Sequence, residues 1–415
     1  MLIVDIRYGT TGLVDCTALQ LDRTAGQLLA LPSRVSLNYV SLAASLVAGV
    51  LIVGIDISAD AQTQRTGSSK SIKMSRKARL AAIRRAHVWA PTSVASMDLK
   101  TGPAAPDAFS PNELVHCQHR DKPMSGATPK FTCVIGQDDE LKVKYGVENG
   151  EVYAEVAATR LLWALGFAAD RVYPVRVACK GCSADPHSNK KETKDEVLFD
   201  PAAVERKMKG TPIEVSADSG WVWPELDEVQ EAAGGAPLAH RDALKLLAVF
   251  IQHTDNKAAQ QRLICVGGDE GDEDGVCEEP WMMVQDLGLT FGRANLFNRN
   301  AAGSVNFEHW NQVPVWTDST GCVGNLAPSQ SGSLENPLIS EAGRKFLADL
   351  LVQLSDQQLR DLFETARFSQ RKSASVRAAS SEQWVEAFKK KRDQIVNRNC
   401  SADVARSAHS FANRQ

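Results

Sequence analysis

The chain has 415 residues, 43% hydrophobic and 23% charged, which is enough apolar material for one large two-lobed domain. A formal net charge of -3 and an aromatic content of 6% supply neither the basic field nor the stacking surface of a nucleic-acid binder, so no nucleic-acid partner is expected.

The leader comes first in the chain. From Val35 to Ile55 there is no charged residue; Arg23 and Arg34 precede the run, and small residues follow it. A basic flank, an apolar run and a small-residue exit predict a secretory signal peptide. At roughly 20 residues the run is also long enough to anchor the chain in a bilayer. A buried core helix is the alternative, although Gly49 and Gly54 are poor helix formers. Residues 1–33 then read as a long n-region or a misplaced start, and 1–60 is set aside as a leader. Its removal takes away Cys16 and leaves Cys117, Cys133, Cys179, Cys182, Cys265, Cys277, Cys322 and Cys400. An even number in an exported chain predicts disulfides, with the pairing open. The expected location is therefore periplasmic, exported, or anchored and facing outward.

Residues 61–108 read as a linker and N-terminal extension, with a short basic helix from Ser75. Its charge is either solvated or drawn to anionic lipid. Residues 109–178 read as a small mixed lobe. A turn, PMSGATPKF, leads into FTCVIG and ELKVKYG, a hairpin about Gln137-Asp138-Asp139. A helix spans Glu151 to Leu165, stopped by Gly166, and VYPVRVAC follows as a strand.

Residues 179–400 read as a larger, mainly helical lobe, and 401–415 as a tail. The stretch 183–236 is polar and mixed, with Lys190, Lys191 and Lys194 in a loop. Ala239 to His253 is a strong helix, and RLICV and WMMVQDL are strands on either side of an acidic loop. Residues 293–336, with Trp310 and Trp316, read as irregular. Helices follow at Ser340–Leu354, Ser355–Ala366 and Glu382–Asn397. The order predicts an α+β, two-lobed fold.

Two segments carry chemistry: His253-Thr254-Asp255-Asn256-Lys257-Ala258-Ala259-Gln260 and Val284-Gln285-Asp286-Leu287-Gly288. Phosphoryl transfer needs one carboxylate to orient a hydroxyl and another to hold the metal on the phosphates. Protein kinases place these in His-x-Asp-x-Lys-x-x-Asn and in Asp-Phe-Gly after a hairpin. This chain is similar, with Gln260 where Asn is expected; the longer Gln side chain shifts or weakens a second metal position. A lysine on a strand and a glutamate on the next helix complete such a site. Lys142 and Lys144 share a strand face, and Glu151 and Glu155 lie in the helix. Lys144 with Glu155 is the favoured pair and Lys142 the substitute. Gly126 sits where backbone N–H groups would approach phosphates. Taken singly, each of these residues is an ordinary surface charge or turn residue.

The run GEVYAEVAATRLLWALGFAADRVYPV resembles the helix and strand of the secretory-pathway (Golgi-lumen) kinases and of HipA-type and phosphatidylinositol-kinase-like bacterial proteins. The resemblance covers about Lys130 to Gly292 in scattered blocks. It implies a kinase fold using ATP and Mg2+ or Mn2+. Asp255 would be the base, and Lys257 would balance charge near the transferred phosphate. Asp286, helped by Gln260, would hold the metal, and Lys144, braced by Glu155, would sit on the phosphates. The acceptor hydroxyl stays unnamed: a protein, a glycan or a small molecule. An inactive kinase-like scaffold and an AMP transferase on the same fold remain alternatives.

Two further features invite metals. Cys179-Lys-Gly-Cys182 with His187 reads as a disulfide, a zinc site or free thiols. The acidic loop, with Asp269, Glu270, Asp272, Glu273 and Asp274, reads as a solvated loop or a calcium ligand set. A bond from Cys265 to Cys277 would staple the base of its hairpin, contributing up to ~3 kcal/mol.

Overall fold

The computed structural model describes the backbone of three strands within residues 3–32. It also describes residues 71–400, apart from 125, 189–191, 216–219, 267–276, 293–303, 328–331 and 373–376. The apolar run at 35–55, the acidic loop and the tail at 401–415 lie outside the described residues. Among the described residues, no helix is long and apolar enough to cross a membrane.

The chain divides into two compact units, Met1–Thr66 and Gly67–Gln415. In the first, β1 (Ile3–Tyr8), β2 (Val14–Leu21) and β3 (Leu28–Pro32) form an antiparallel meander in which Ile3 faces Leu19 and Leu19 faces Ala30. The leader reading of 1–33 did not anticipate a sheet here.

The second unit is mixed α and β. It opens with β4 (Ile72–Lys73) and α1 (Arg76–Arg84), whose N-cap Ser75 accepts a bond from the Ala78 N–H. The following segment packs into the main core through Ala86, Val88, Val94 and Leu99. Next come β5 (Leu114–Arg120), β6 (Lys130–Ile135) and β7 (Asp139–Tyr145). The predicted hairpin is present, with Ile135 opposite Asp139 and Lys130 opposite Lys144.

Helix α2 (Glu151–Ala164) is buried on all sides except at Trp163. Its run of Ala, Val and Leu suits a helix wrapped by protein rather than one with a wet face. β8 (Arg171–Lys180) and β9 (Glu196–Arg206) follow. The five strands close a barrel in the order β5-β6-β7-β9-β8, with β8 returning to β5 in parallel. The barrel therefore takes β9 from a polar, mixed stretch in which the sequence named no strand, beyond residue 178. The acidic residues and Pro201 in EVLFDPAAVER hid the pattern, since Pro is uncommon inside a sheet.

A second sheet, in the order β12-β11-β10-β4, contains β10 (Thr211–Glu214), β11 (Gln261–Val266) and β12 (Glu279–Val284). Before β11 runs α3 (Leu238–Ile251), and after β12 come α4 (Phe307–Gln312), α5 (Glu341–Leu351), α6 (Asp356–Thr365) and α7 (Ser381–Val396). Their shared core is aromatic: Phe250, Phe291, Phe363, Phe368, Trp310 and Trp384 meet largely edge to face.

Eight cysteines form four disulfides: Cys117–Cys133, Cys179–Cys182, Cys265–Cys277 and Cys322–Cys400. The staple expected at the β11–β12 hairpin is present. Cys179 and Cys182 bond each other, and His187 lies elsewhere, its backbone N–H donating to the Tyr145 hydroxyl.

Lys391 of α7 is buried. Its Nζ donates to the Val313 carbonyl at 2.6 Å and lies 5.1 Å from the centre of the Trp310 ring. Burial, and then neighbouring Lys390, lower its pKa to about 7 from 10.5. The unfolded chain therefore binds more protons than the folded one between these values, and stability rises with pH through that window. Lys391→Met should raise the melting temperature more at pH 6 than at pH 9, as measured by thermal denaturation. An equal shift at both pH values would remove Lys391 as the source.

Candidate active site

The site lies between the barrel, α2 and the two loops that meet at the open end of the β11–β12 hairpin. Each side chain is positioned by its element. Lys144, near the end of β7, points inward and is 2% exposed. Glu151 and Glu155 are one turn apart on α2, so they lie on one face of the helix. Asp286 follows β12 directly, with a φ of 51°, a left-handed conformation uncommon outside glycine.

These four residues form one cluster. Lys144 Nζ donates to Glu151 Oε2 at 2.5 Å, to Glu155 Oε1 at 2.6 Å and to Asp286 Oδ1 at 2.8 Å. The three carboxylates lie within 4.8 Å of one another. Burial opposes charge on Lys144, but Glu155, Glu151 and Asp286 overcome it and raise its pKa well above the usual lysine value. Burial also opposes charge on Asp286, and Lys144 reverses this, holding Asp286 far below the carboxylate range. Glu155 goes the other way: burial, joined by the Asp286 charge, outweighs Lys144 and pushes it well up. Burial thus works against charge on Glu155 at the closed side of the cluster, while Lys144 keeps Asp286 ionised at its open side.

Glu151 also accepts a bond from Thr128 Oγ1 at 3.1 Å. Gly288 packs against it so closely that a Cβ there would stand 2.6 Å from Glu151 Cγ. That close approach gives Asp286-Leu287-Gly288 a packing reason for its glycine.

Lys142 takes no direct part. It bonds Glu205 Oε2 at 2.6 Å, across the register of β7 and β9. Burial would raise the Glu205 carboxyl, but Lys207 and Lys142 hold it down to about 2. The choice that the sequence left open between the two lysines thus falls to β9, which gives Lys142 a carboxylate of its own.

The second carboxylate, Asp255, sits on the loop after α3. Lys257 Nζ at 2.9 Å and Gln260 Nε2 at 2.8 Å both donate to its Oδ2. Its Oδ1 takes no hydrogen bond among the described residues. Gln260 therefore uses its amide N–H on Asp255, leaving its amide oxygen for other partners.

Buried Asn256 holds this loop in place. Its Nδ2 donates to the His253 and Leu334 carbonyls, and its Oδ1 accepts from the Ser333 and Leu334 N–H groups at 2.8 and 2.9 Å. The two carboxylate loops are also tied by backbone. Gln285 N–H donates to Gln260 O at 2.9 Å, and Thr254 N–H to Leu289 O at 3.1 Å. His253 is fully buried, and both Asp255 and Asp286 act on it electrostatically.

Of the predicted residues, Lys144, Glu155 and Asp286 form one group, and Asp255, Lys257 and Gln260 another. Gly126 lies in the turn before β6, with a φ of 92°. Sequence reasoning did not assign roles to Glu151, Thr128, Lys130 or Asn256. Helical spacing was the one signal for Glu151, since it precedes Glu155 by one turn.

No protein-family model matches the chain, and no curated protein matches it. Among solved structures it is similar to the crystal structure of a Helicobacter pylori proinflammatory kinase, CtkA. The match has a TM-score of 0.37 and 9% sequence identity, over 69% of this chain and 94% of that one. A likeness this slight carries no functional weight, and the site must be read from its own geometry.

Proposed function

We propose that the chain is an ATP- and divalent-metal-dependent phosphotransferase with a two-lobed, kinase-like arrangement, the barrel and α2 serving as the small lobe. The observation that carries this reading is the join of two carboxylate loops by backbone bonds, one loop bearing Asp286 against Lys144, the other bearing Asp255 with a free oxygen. Phosphoryl transfer requires such a division between a carboxylate for the metal and a carboxylate for the acceptor.

The donor set fits a hard cation. Asp286 is strongly ionised, its side chain is 29% exposed, and it offers its second oxygen; the Gln260 amide oxygen is the further candidate. When bound, Mg2+ or Mn2+ would neutralise phosphate charge. Asp255 Oδ1 would accept the hydrogen bond of an acceptor hydroxyl, while Lys257 and Gln260 hold the carboxylate in orientation. Lys144 would fix Asp286 and the α2 glutamates.

The four disulfides and the uncharged run at 35–55 favour an exported or outward-facing, anchored chain, because disulfides persist in oxidising compartments. The acceptor remains a hydroxyl on a protein, a glycan or a small molecule. Gln260, standing where Asn is expected, favours a second reading: a nucleotide-binding scaffold without turnover.

Calorimetric titration of the chain from residue 61 onward with ATP, in Mg2+ and in Mn2+, tests the proposal beside Asp286→Ala. Metal-dependent binding that the substitution abolishes is the expected result; no binding in either metal would overturn it. Mass spectrometry after incubation with ATP then separates added phosphate from added AMP, and an unmodified chain and acceptor pool would favour the scaffold.

A further inference from the structure

An ammonium group has three N–H donors. Lys144 uses all three on Glu151, Glu155 and Asp286. It therefore has none left for a phosphate unless a buried ion pair breaks, which leaves a carboxylate uncompensated. The lysine that sequence patterns single out is, in this geometry, a structural cation.

Its cross-strand neighbour is different. Lys130 stands opposite Lys144 in the β6–β7 register. It is half-buried, and among the described residues its Nζ has neither a hydrogen bond nor an ion pair. The charges of Glu151 and Asp286 act on it, as does that of Lys144, which places it beside the same cluster. Its Nζ lies 2.6 Å from where a Cβ on Gly126 would stand, which sets the ammonium against the turn before β6. Lys130 also lines a cavity of about 540 Å³ with His119, Arg120, Lys122 and His187, Asp121 being the acid in that wall. Arg120 and Lys122 are already engaged by Glu140. Burial, and then Lys144, lower the pKa of Lys130, against the pull of Glu151 and Asp286.

We infer that Lys130, held against the Gly126 turn, is the residue that contacts the terminal phosphates of the bound polyphosphate, while Lys144 holds the carboxylate cluster together. This rests on the phosphotransfer reading and assigns its phosphate contact to a residue outside the kinase-like motifs. Charge-assisted bonds to phosphate are the strong ones, and Lys130 gives up no internal bond to make one.

The test is calorimetric titration with ATP and with inorganic pyrophosphate, each with Mg2+, of the wild-type chain, Lys130→Ala, Lys130→Arg and Lys122→Ala. Circular dichroism melting is run on each. Lys130→Ala should bind both ligands at least about tenfold more weakly with an unchanged melting temperature. Lys130→Arg should recover part of the loss, and Lys122→Ala should match wild type. Wild-type affinity in Lys130→Ala would overturn the assignment and leave the phosphotransfer reading standing. An equal loss in Lys122→Ala would also overturn it, pointing to a diffuse field. Failure of the wild-type chain to bind either ligand would overturn both.

Discussion

Asp255→Asn should lower phosphoryl transfer by about 100-fold or more, the range for loss of a positioned general base. The substitution keeps the size and planarity of the side chain. Its amide oxygen still accepts from Lys257 and Gln260, which meet Asp255 at 2.9 and 2.8 Å. The amide nitrogen then takes the place of Oδ1 and presents donors where an acceptor hydroxyl needs an acceptor. Fold and nucleotide binding should persist, because Asn256 rather than Asp255 fastens the loop to residues 333 and 334. The check is a single-turnover assay with labelled ATP beside a binding titration. A rate loss under tenfold would remove Asp255 from the role of base.

Lys144→Met should cost about 3–5 kcal/mol of stability, the range for removing one partner of a buried ion cluster. Three carboxylates within 4.8 Å would lose their shared cation. Retained in the fold, they would hold protons more tightly than in the unfolded chain. The deficit should therefore grow as pH rises from about 5 to 8, since the folded state then binds the extra protons. Adding Glu155→Gln should recover part of the loss by removing one charge. Denaturant melts of the three variants at two pH values decide this. A Lys144→Met chain as stable as wild type would show that the cluster is not held by charge.

Much of this arrangement is visible in the sequence. Helices α3, α5, α6 and α7 follow the apolar periodicity, α2 follows an apolar run closed by Gly166, and the β11–β12 hairpin follows two apolar runs separated by an acidic stretch. These are local signals, with length enough to dominate. The lysine choice was not legible, because Lys142 and Lys144 share a face and are told apart by the residues that the neighbouring strands set opposite them. Lys130 was hidden for a similar reason. It looks like any lysine at the start of a strand until the register sets it opposite Lys144. Asn256 was in view without a role, since its partners at 333 and 334 are far along the chain. The β1–β3 meander was missed because the uncharged run after it drew the whole segment into a leader.

Closure of the barrel has a consequence for recruitment. Because β8 pairs back onto β5, every strand of the barrel is flanked on both sides, and none presents the row of open N–H and C=O groups by which an incoming chain extends a sheet. A polypeptide acceptor therefore gains no purchase on the barrel by donating a strand, the backbone-driven docking seen where sheet edges are exposed. Recognition there has to come from side chains meeting side chains, which makes it selective for what the acceptor displays rather than for its ability to become extended.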